Sequence, residues 1–238
     1  MREMTYKRLF TLTLIFGLFI CTSCMNQESP VEDELIKIMN DPVKFLALGD
    51  SYTIGQGVEE HKSWPVQIGE ELKENNFEVQ VVDIIAQTGW ATNDLINGIE
   101  NTELNDYNLV SLLIGVNNQF QNQSFGIFEF EFTTLLNKSI EIAGSRERVF
   151  VVSIPDYGVT PFGSGNSENI AEEIDMYNNF ISNTCDIFEV SFICITEISR
   201  NLGDSPGALV QDKLHPSASQ YEAWTNEILP VVFKILDE

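Results

Sequence analysis

Five short apolar runs, separated by amphipathic stretches of helix length, constrain this chain more than any other feature. The runs are Val43–Leu48, Val79–Ile85, Leu109–Ile114, Val149–Ile154 and Val190–Ile195. They are mostly apolar and rich in β-branched residues, the pattern of strands covered on both faces. Between them, Ser63-Trp64-Pro65 opens a helix with a serine at its start and proline in its first turn, followed by Val66, Ile68 and Leu72. Thr92–Ile99 is a second helix, with Thr92 or Asn93 as its cap and Leu95, Ile96 and Ile99 on one face. Phe128–Ala143, Ser167–Ile181 and Ser217–Leu236 complete the set. The repeated strand–helix alternation predicts an α/β domain over residues 43–238. Its five-stranded parallel sheet carries helices on both sides, as a three-layer α/β/α sandwich.

Ahead of that domain the chain changes character. Arg2, Lys7 and Arg8 precede the apolar run Leu9–Cys21, which is too short to span a bilayer comfortably. The run ends in Cys21-Thr22-Ser23-Cys24. Small residues directly before a cysteine resemble a bacterial lipobox, so residues 1–24 read as a lipoprotein-type signal peptide with Cys24 as the lipidated residue. Such boxes usually carry leucine where this chain has Cys21; an ordinary cleaved signal and a retained anchor helix are the competing readings. Residues 25–42 are polar and acidic, with Pro30 and Pro42, and read as a tether with a helical turn around Glu34–Met39. The expectation is an exported protein of the cell envelope, held to the membrane by an N-terminal lipid.

The chain carries a net charge of −23, and the first 24 residues contribute +2, so the remainder holds −25. That field repels polyanions and speaks against nucleic acid as a partner. Cys185 and Cys194 are the cysteines left outside the N-terminal segment. In an oxidising compartment they have the option of pairing; buried free thiols are the alternative.

In open parallel sheets, ligands bind beyond the carboxyl ends of the strands. Gly49-Asp50-Ser51 follows the first run, Thr88-Gly89 the second, and Gly115-Val116-Asn117 the third. Asp212-Lys213-Leu214-His215-Pro216 precedes the last helix, on the same rim. Ser51, His215 and Asp212 therefore offer a nucleophile, a base and an orienting carboxylate. Asp212 lies three residues before His215, so one turn brings carboxylate and imidazole together. The backbone N–H groups of Ser51 and Gly89 and the side-chain amide of Asn117 offer donors to an oxyanion. Competing structural roles exist: Ser51 and Asn117 as caps, Asp50 as a turn residue, His61 as a solvated surface histidine, and Trp64 and Trp90 as packing residues. Trp90 has the further option of lining the pocket, as does the glycine-containing loop 155–165. No Gly-x-Ser-x-Gly elbow, nucleotide-binding glycine loop or metal-spaced histidine cluster occurs, and the reading requires no cofactor and no metal.

Four blocks, Gly49-Asp50-Ser51-Tyr52-Thr53, Gln87-Thr88-Gly89-Trp90, Gly115-Val116-Asn117-Asn118 and Asp212-Lys213-Leu214-His215-Pro216, resemble those of the SGNH (GDSL-type) hydrolase superfamily. The resemblance spans residues 43–238. It implies a flavodoxin-like α/β/α fold and ester hydrolysis, with Ser51 as nucleophile, His215 as base and Asp212 as orienting carboxylate. Ser51, Gly89 and Asn117 would form the oxyanion hole. One departure is Asn118, where the family's third block often continues with aspartate. The implied partner is a small-molecule or glycan ester. Short acyl or acetyl esters fit best, because no long apolar lid segment is evident. Carbohydrate deacetylase, lysophospholipase and thioesterase activities share the mechanism. A surface-anchored binding module without turnover is the alternative from another class.

Overall fold

The computed structural model describes residues 41–237. The signal segment 1–24 with Cys24, most of the tether and its helical turn at Glu34–Met39 lie outside the described residues. Five strands form one sheet: β1 (Val43–Gly49), β2 (Val79–Ala86), β3 (Leu109–Leu113), β4 (Val149–Val152) and β5 (Ser191–Ile193). The order is β2-β1-β3-β4-β5, and every pairing is parallel. The helices are α1 (Ser51–Ile54), α2 (Trp64–Glu74), α3 (Thr92–Glu100), α4 (Val116–Phe120), α5 (Phe125–Ala143), α6 (Ser167–Phe188), α7 (Thr196–Leu202) and α8 (Ala218–Asp237). Helices α2 and α8 pack together on one face of the sheet, and α3, α5 and α6 cover the other.

The burial pattern follows from this layering. Phe45, Leu46, Ala47 and Leu48 of β1 are all fully buried, because an inner strand has a helix layer on each side. On the α2 side, Phe45 stacks on Phe150 at 5.9 Å between ring centroids, and Trp64 of α2 lies 6.5 Å from both. On the opposite side, Phe128 and Phe132 of α5 meet Tyr177 and Phe180 of α6, the closest pair being Phe128 and Tyr177 at 4.4 Å. Truncating one such core aromatic to alanine costs about 3–5 kcal/mol.

Several boundaries differ from those the sequence predicts. Strands β4 and β5 stop early because Ser153 takes over beyond the ladder: its Oγ accepts the N–H groups of Ile195 at 2.8 Å and Thr196 at 3.1 Å. Helix α5 starts three residues before Phe128, and α6 runs to Phe188, past the expected end at Ile181. Helix α3 is not capped by Thr92 or Asn93. Ala91 holds the cap position, and its N–H donates to the Asp94 carboxylate at 3.0 Å. The short helices α1, α4 and α7 were not predicted from the sequence.

Strand register sets up the site. Gly49, the last residue of β1, pairs with Ala86 of β2 on one side and Leu113 of β3 on the other. Three strands thus end at one level, and the turns that follow them face the same space.

Candidate active site

The turn after β1 is shaped by its glycine. A Cβ at Gly49 would lie 2.1 Å from Thr53 Oγ1 and 2.5 Å from the Leu113 carbonyl oxygen, so no larger residue lets α1 fold back over β3. Asp50 takes the cap position, its Oδ1 accepting the Tyr52 N–H at 3.0 Å. The capping role open to Ser51 thus falls to its neighbour, and Ser51 occupies the first position of the helical turn. Asp50 is fully buried, and its Oδ2 has no hydrogen-bond partner among the described residues. Burial pushes its carboxyl up to about 7; the backbone N–H groups of Tyr52 and of Asp50 itself offset only part of that rise.

The second arm comes from the loop before α8. Leu209 and Pro216 form an antiparallel bridge, and the Val210 N–H donates to the His215 carbonyl at 3.0 Å. The loop reverses through Lys213, whose φ of 58° lies in the left-handed region. Asp212 Oδ1 accepts the N–H groups of Leu214 at 2.9 Å and His215 at 3.0 Å, and Oδ2 lies 2.7 Å from His215 Nδ1. Partial burial works against the Asp212 carboxylate. The bonds from the His215 backbone and ring and from the Leu214 N–H outweigh it, holding the carboxyl below its ordinary value. His215 Nε2 lies 3.0 Å from Ser51 Oγ. The structure therefore brings Ser51, His215 and Asp212 into one hydrogen-bonded chain. An imidazole so held keeps the proton on Nδ1 and presents Nε2 as an acceptor.

Gly89 and Asn117 line the same pocket as Ser51 and His215. Gly89 has a φ of 82°, which glycine adopts without strain, and the turn is closed by the Trp90 N–H donating to the Gln87 carbonyl at 3.2 Å. Asn117 is the second residue of the short helix α4 and spends one N–H of its amide on the Trp90 carbonyl at 2.9 Å. This contact ties the turn after β2 to the turn after β3 and leaves the second amide N–H uncommitted. The pocket measures about 220 Å³, and its remaining walls are largely apolar, with Tyr52, Val116, Phe120, Tyr157, Phe162 and Leu214.

Some functional neighbours escape a linear reading. Tyr52 backs the His215 ring at 5.6 Å and rests in turn on Trp224 of α8 at 6.2 Å. Its place directly after Ser51 was the only available hint. Asn118 is fully buried and makes three hydrogen bonds to two residues, Thr92 and Gln123. Its Oδ1 accepts the Thr92 N–H at 3.1 Å, and its Nδ2 donates to Thr92 Oγ1 at 2.7 Å and Gln123 Oε1 at 3.0 Å. An ionised aspartate, lacking donors, could only accept from these groups and could not donate as Asn118 does. Asn118 thus anchors α4, and with it Asn117, to the start of α3. Tyr157 and Phe162 of the loop after β4 line the pocket, whereas Trp90 does not: its ring lies over Gly98 of α3. His61 is exposed, with Glu59 at 3.5 Å as its neighbour. Cys185 and Cys194 are free thiols, the first buried and the second exposed. Burial, and secondarily the charge of Asp186, pushes the Cys185 thiol up to about 12, which makes it inert at ordinary pH. Among the described residues no cluster of three or more His, Cys, Asp or Glu side chains could hold a metal ion, and no helix is long and apolar enough to cross a membrane.

Solved structures share this architecture. The acetyl xylan esterase AlAXEase superposes with a TM-score of 0.63 at 21% identity, over 80% of this chain and 100% of its own. A lipase/acylhydrolase from Enterococcus faecalis gives 0.63 at 19%, over 80% and 95%. TesA gives 0.63 at 13%, over 80% and 98%. At such identities the likeness speaks for the fold. No curated protein matches the chain in sequence. The sequence profile of the GDSL-like lipase/acylhydrolase family, however, matches residues 47–223, well over half of the chain. With that match, this chain belongs to the GDSL-like lipase/acylhydrolase family and is an ester-hydrolysing enzyme.

Proposed function

We propose that the protein hydrolyses carboxylic esters of short acyl chains, acetyl esters foremost, through an acyl-enzyme on Ser51. The observation that carries this reading is the unbroken chain Asp212 Oδ2, His215 Nδ1, His215 Nε2, Ser51 Oγ, with separations of 2.7 and 3.0 Å at its two links. Ser51 attacks the ester carbonyl as His215 Nε2 takes its proton. Asp212 holds the ring and stabilises the imidazolium that results. The oxyanion is met by the Ser51 N–H, which has no helical partner at the first position of α1, by the Gly89 N–H and by the second amide N–H of Asn117. His215 then returns the proton to the leaving alkoxide. A water molecule, deprotonated by the same nitrogen, releases the acid.

The size of the pocket supports a small acyl group. Its volume of about 220 Å³ lies below the ~300–1,000 Å³ usual for sites that take drug-sized ligands. The apolar walls suit the methyl or short alkyl end of the acid. The signal-like segment 1–24 and the lipobox-like Cys24 support an exported enzyme, tethered at the cell envelope by lipid at that cysteine.

A series of nitrophenyl esters from acetate to decanoate, assayed on the wild type and Ser51→Ala, tests the reading. Acetate or butyrate should give the highest kcat/KM, with decanoate at least about ten-fold lower. Ser51→Ala should lose at least about ten-thousand-fold in kcat. A rate that climbs steadily to decanoate would contradict the short-chain assignment, and full activity in Ser51→Ala would contradict the nucleophile.

A further inference from the structure

Beside the catalytic pocket lies a second groove of about 310 Å³, and the two share one wall, made of Phe120, Tyr157 and Phe162. The three rings form a cluster, with centroids 5.9 to 6.3 Å apart. Phe120 and Phe162 are 51% and 53% exposed, high for large apolar side chains next to an active site. The catalytic side of this wall is apolar. The far side is polar and is lined by Asn122, Asn166, Asn169 and Glu173.

The wall is held from behind. The Tyr157 hydroxyl donates to Gln119 Oε1 at 2.9 Å, and Gln119 Nε2 donates to Glu173 Oε2 at 2.6 Å. Those polar groups are committed to one another. The side-chain amides of Asn122, Asn166 and Asn169 make no hydrogen bond among the described residues. Each amide offers donors and an acceptor to whatever enters the groove.

We propose that this groove is a subsite for one neutral sugar ring, which carries the ester whose acyl group enters the catalytic pocket. The proposal rests on the esterase reading of Ser51 and names the alcohol part of its substrate. A pyranose has a face of C–H groups and a rim of hydroxyls. The first matches the exposed rings of Phe120 and Phe162; the second matches amides that can both donate and accept. The charge balance narrows the choice. No lysine or arginine lines either cavity, and the groove holds the Glu173 carboxylate. A phosphorylated headgroup or an acidic sugar would bring an anion beside that carboxylate with no cation to meet it, within a chain of net charge −23. A neutral polyol meets no such penalty.

The test compares two acetate esters, a monoacetylated methyl glucopyranoside and nitrophenyl acetate, on the full chain. In Asn169→Ala, an exposed position, the ratio of kcat/KM for the sugar ester to that for nitrophenyl acetate should fall about ten-fold, mainly through KM. Phe162→Ala should lower the sugar-ester kcat/KM itself by about ten-fold or more. Titration calorimetry of Ser51→Ala with the acetylated glucoside reads the groove without turnover. Saturable binding that weakens when Asn169→Ala is added supports the subsite. An unchanged ratio, absent binding, or a kcat/KM for lysophosphatidylcholine above that for the sugar ester would overturn it. Hydrolysis of nitrophenyl acetate by the wild type, together with any of those three results, would refute the sugar subsite and leave the esterase reading standing. Failure to hydrolyse nitrophenyl acetate would instead strike the esterase reading itself, while calorimetry still decides whether the groove takes a sugar.

Discussion

Two aspartates flank the reacting groups, and their surroundings give them opposite tasks. Asp50 sits in the turn after β1, fully buried, and among the described residues one of its carboxyl oxygens has no hydrogen-bond partner. Burial lifts it to about 7, so it carries a proton over much of the acidic range. Asp212 sits in the loop before α8 with its side chain 39% exposed, and accepts two backbone N–H groups and the His215 ring. Those bonds hold it ionised. The same side chain thus serves as a buried brace in one turn and as an ionic partner for imidazole in the other. Hydration and donor count decide between the roles. A third carboxylate, Asp156, is as buried as Asp50 but meets Arg200 Nε at 2.9 Å. Asp156 also caps the turn that presents Tyr157, accepting the Gly158 N–H at 2.8 Å.

Asp212→Asn should retain the fold, because an amide oxygen can still accept the loop N–H groups, yet lower kcat by about ten-thousand-fold by disturbing the His215 tautomer. Steady-state kinetics beside a thermal melt reads both. A loss below ten-fold would show that the carboxylate does not orient the ring.

Next comes the buried end. Asp50 has a folded-state pKa raised above its ordinary 3.8. Its contribution to stability is therefore fully present below that value and is lost as pH rises towards about 7. A shift of that size corresponds to a few kcal/mol, on the order of 4 if counted in full. Asp50→Asn should remove this slope, so that the stability difference between variant and wild type grows in the variant's favour from pH 4 to pH 8. Kcat should stay within about ten-fold, since the amide can still accept the Tyr52 N–H. Urea unfolding at several pH values measures it, and parallel pH profiles for the two proteins would contradict it. Asp212 carries the opposite sign: its stabilisation is present above its ordinary value and fades as pH falls through the lowered one.

The buried Asp156 depends on its guanidinium partner. Arg200 also holds Asp175 at 2.7 Å and Glu197 at 3.0 Å. Arg200→Ala strands Asp156 without a cation and should cost about 3 kcal/mol in urea unfolding. Arg200→Lys should recover only part of that, since one ammonium cannot satisfy three carboxylates from three directions. A variant as stable as the wild type would mean that Asp156, like Asp50, tolerates burial alone.

The sheet was legible in the chain because inner strands need apolar residues on both faces. Phe45, Leu109 and Phe150 announce themselves in that way. Three of the four blocks were legible because turns at strand ends favour glycine and short polar residues; the fourth, before the last helix, was legible through its Asp-x-x-His spacing and its resemblance to the SGNH pattern. Their convergence follows from the parallel layout. What stayed hidden depends on groups distant in the chain. Asp94 displaces Thr92 and Asn93 from capping α3 through a bond visible only once the helix exists. Ser153 ends two strands at once by reaching across to residues 195 and 196. Helices α4 and α7 are too short to show a period, and tertiary bonds such as those of Asn118 fix them. Tyr52, Phe120 and Phe162 read as ordinary aromatics until the fold sets one behind the His215 ring and the other two in a shared wall.

Ser51, far from His215 in the chain, is made nucleophilic by it. A fluorophosphonate probe followed by intact-mass analysis tests this most directly. One adduct is expected on the wild type, mapped to Ser51, none on Ser51→Ala, and strongly slowed labelling of His215→Ala. A folded wild type that takes no label, or equal labelling of Ser51→Ala, would contradict it.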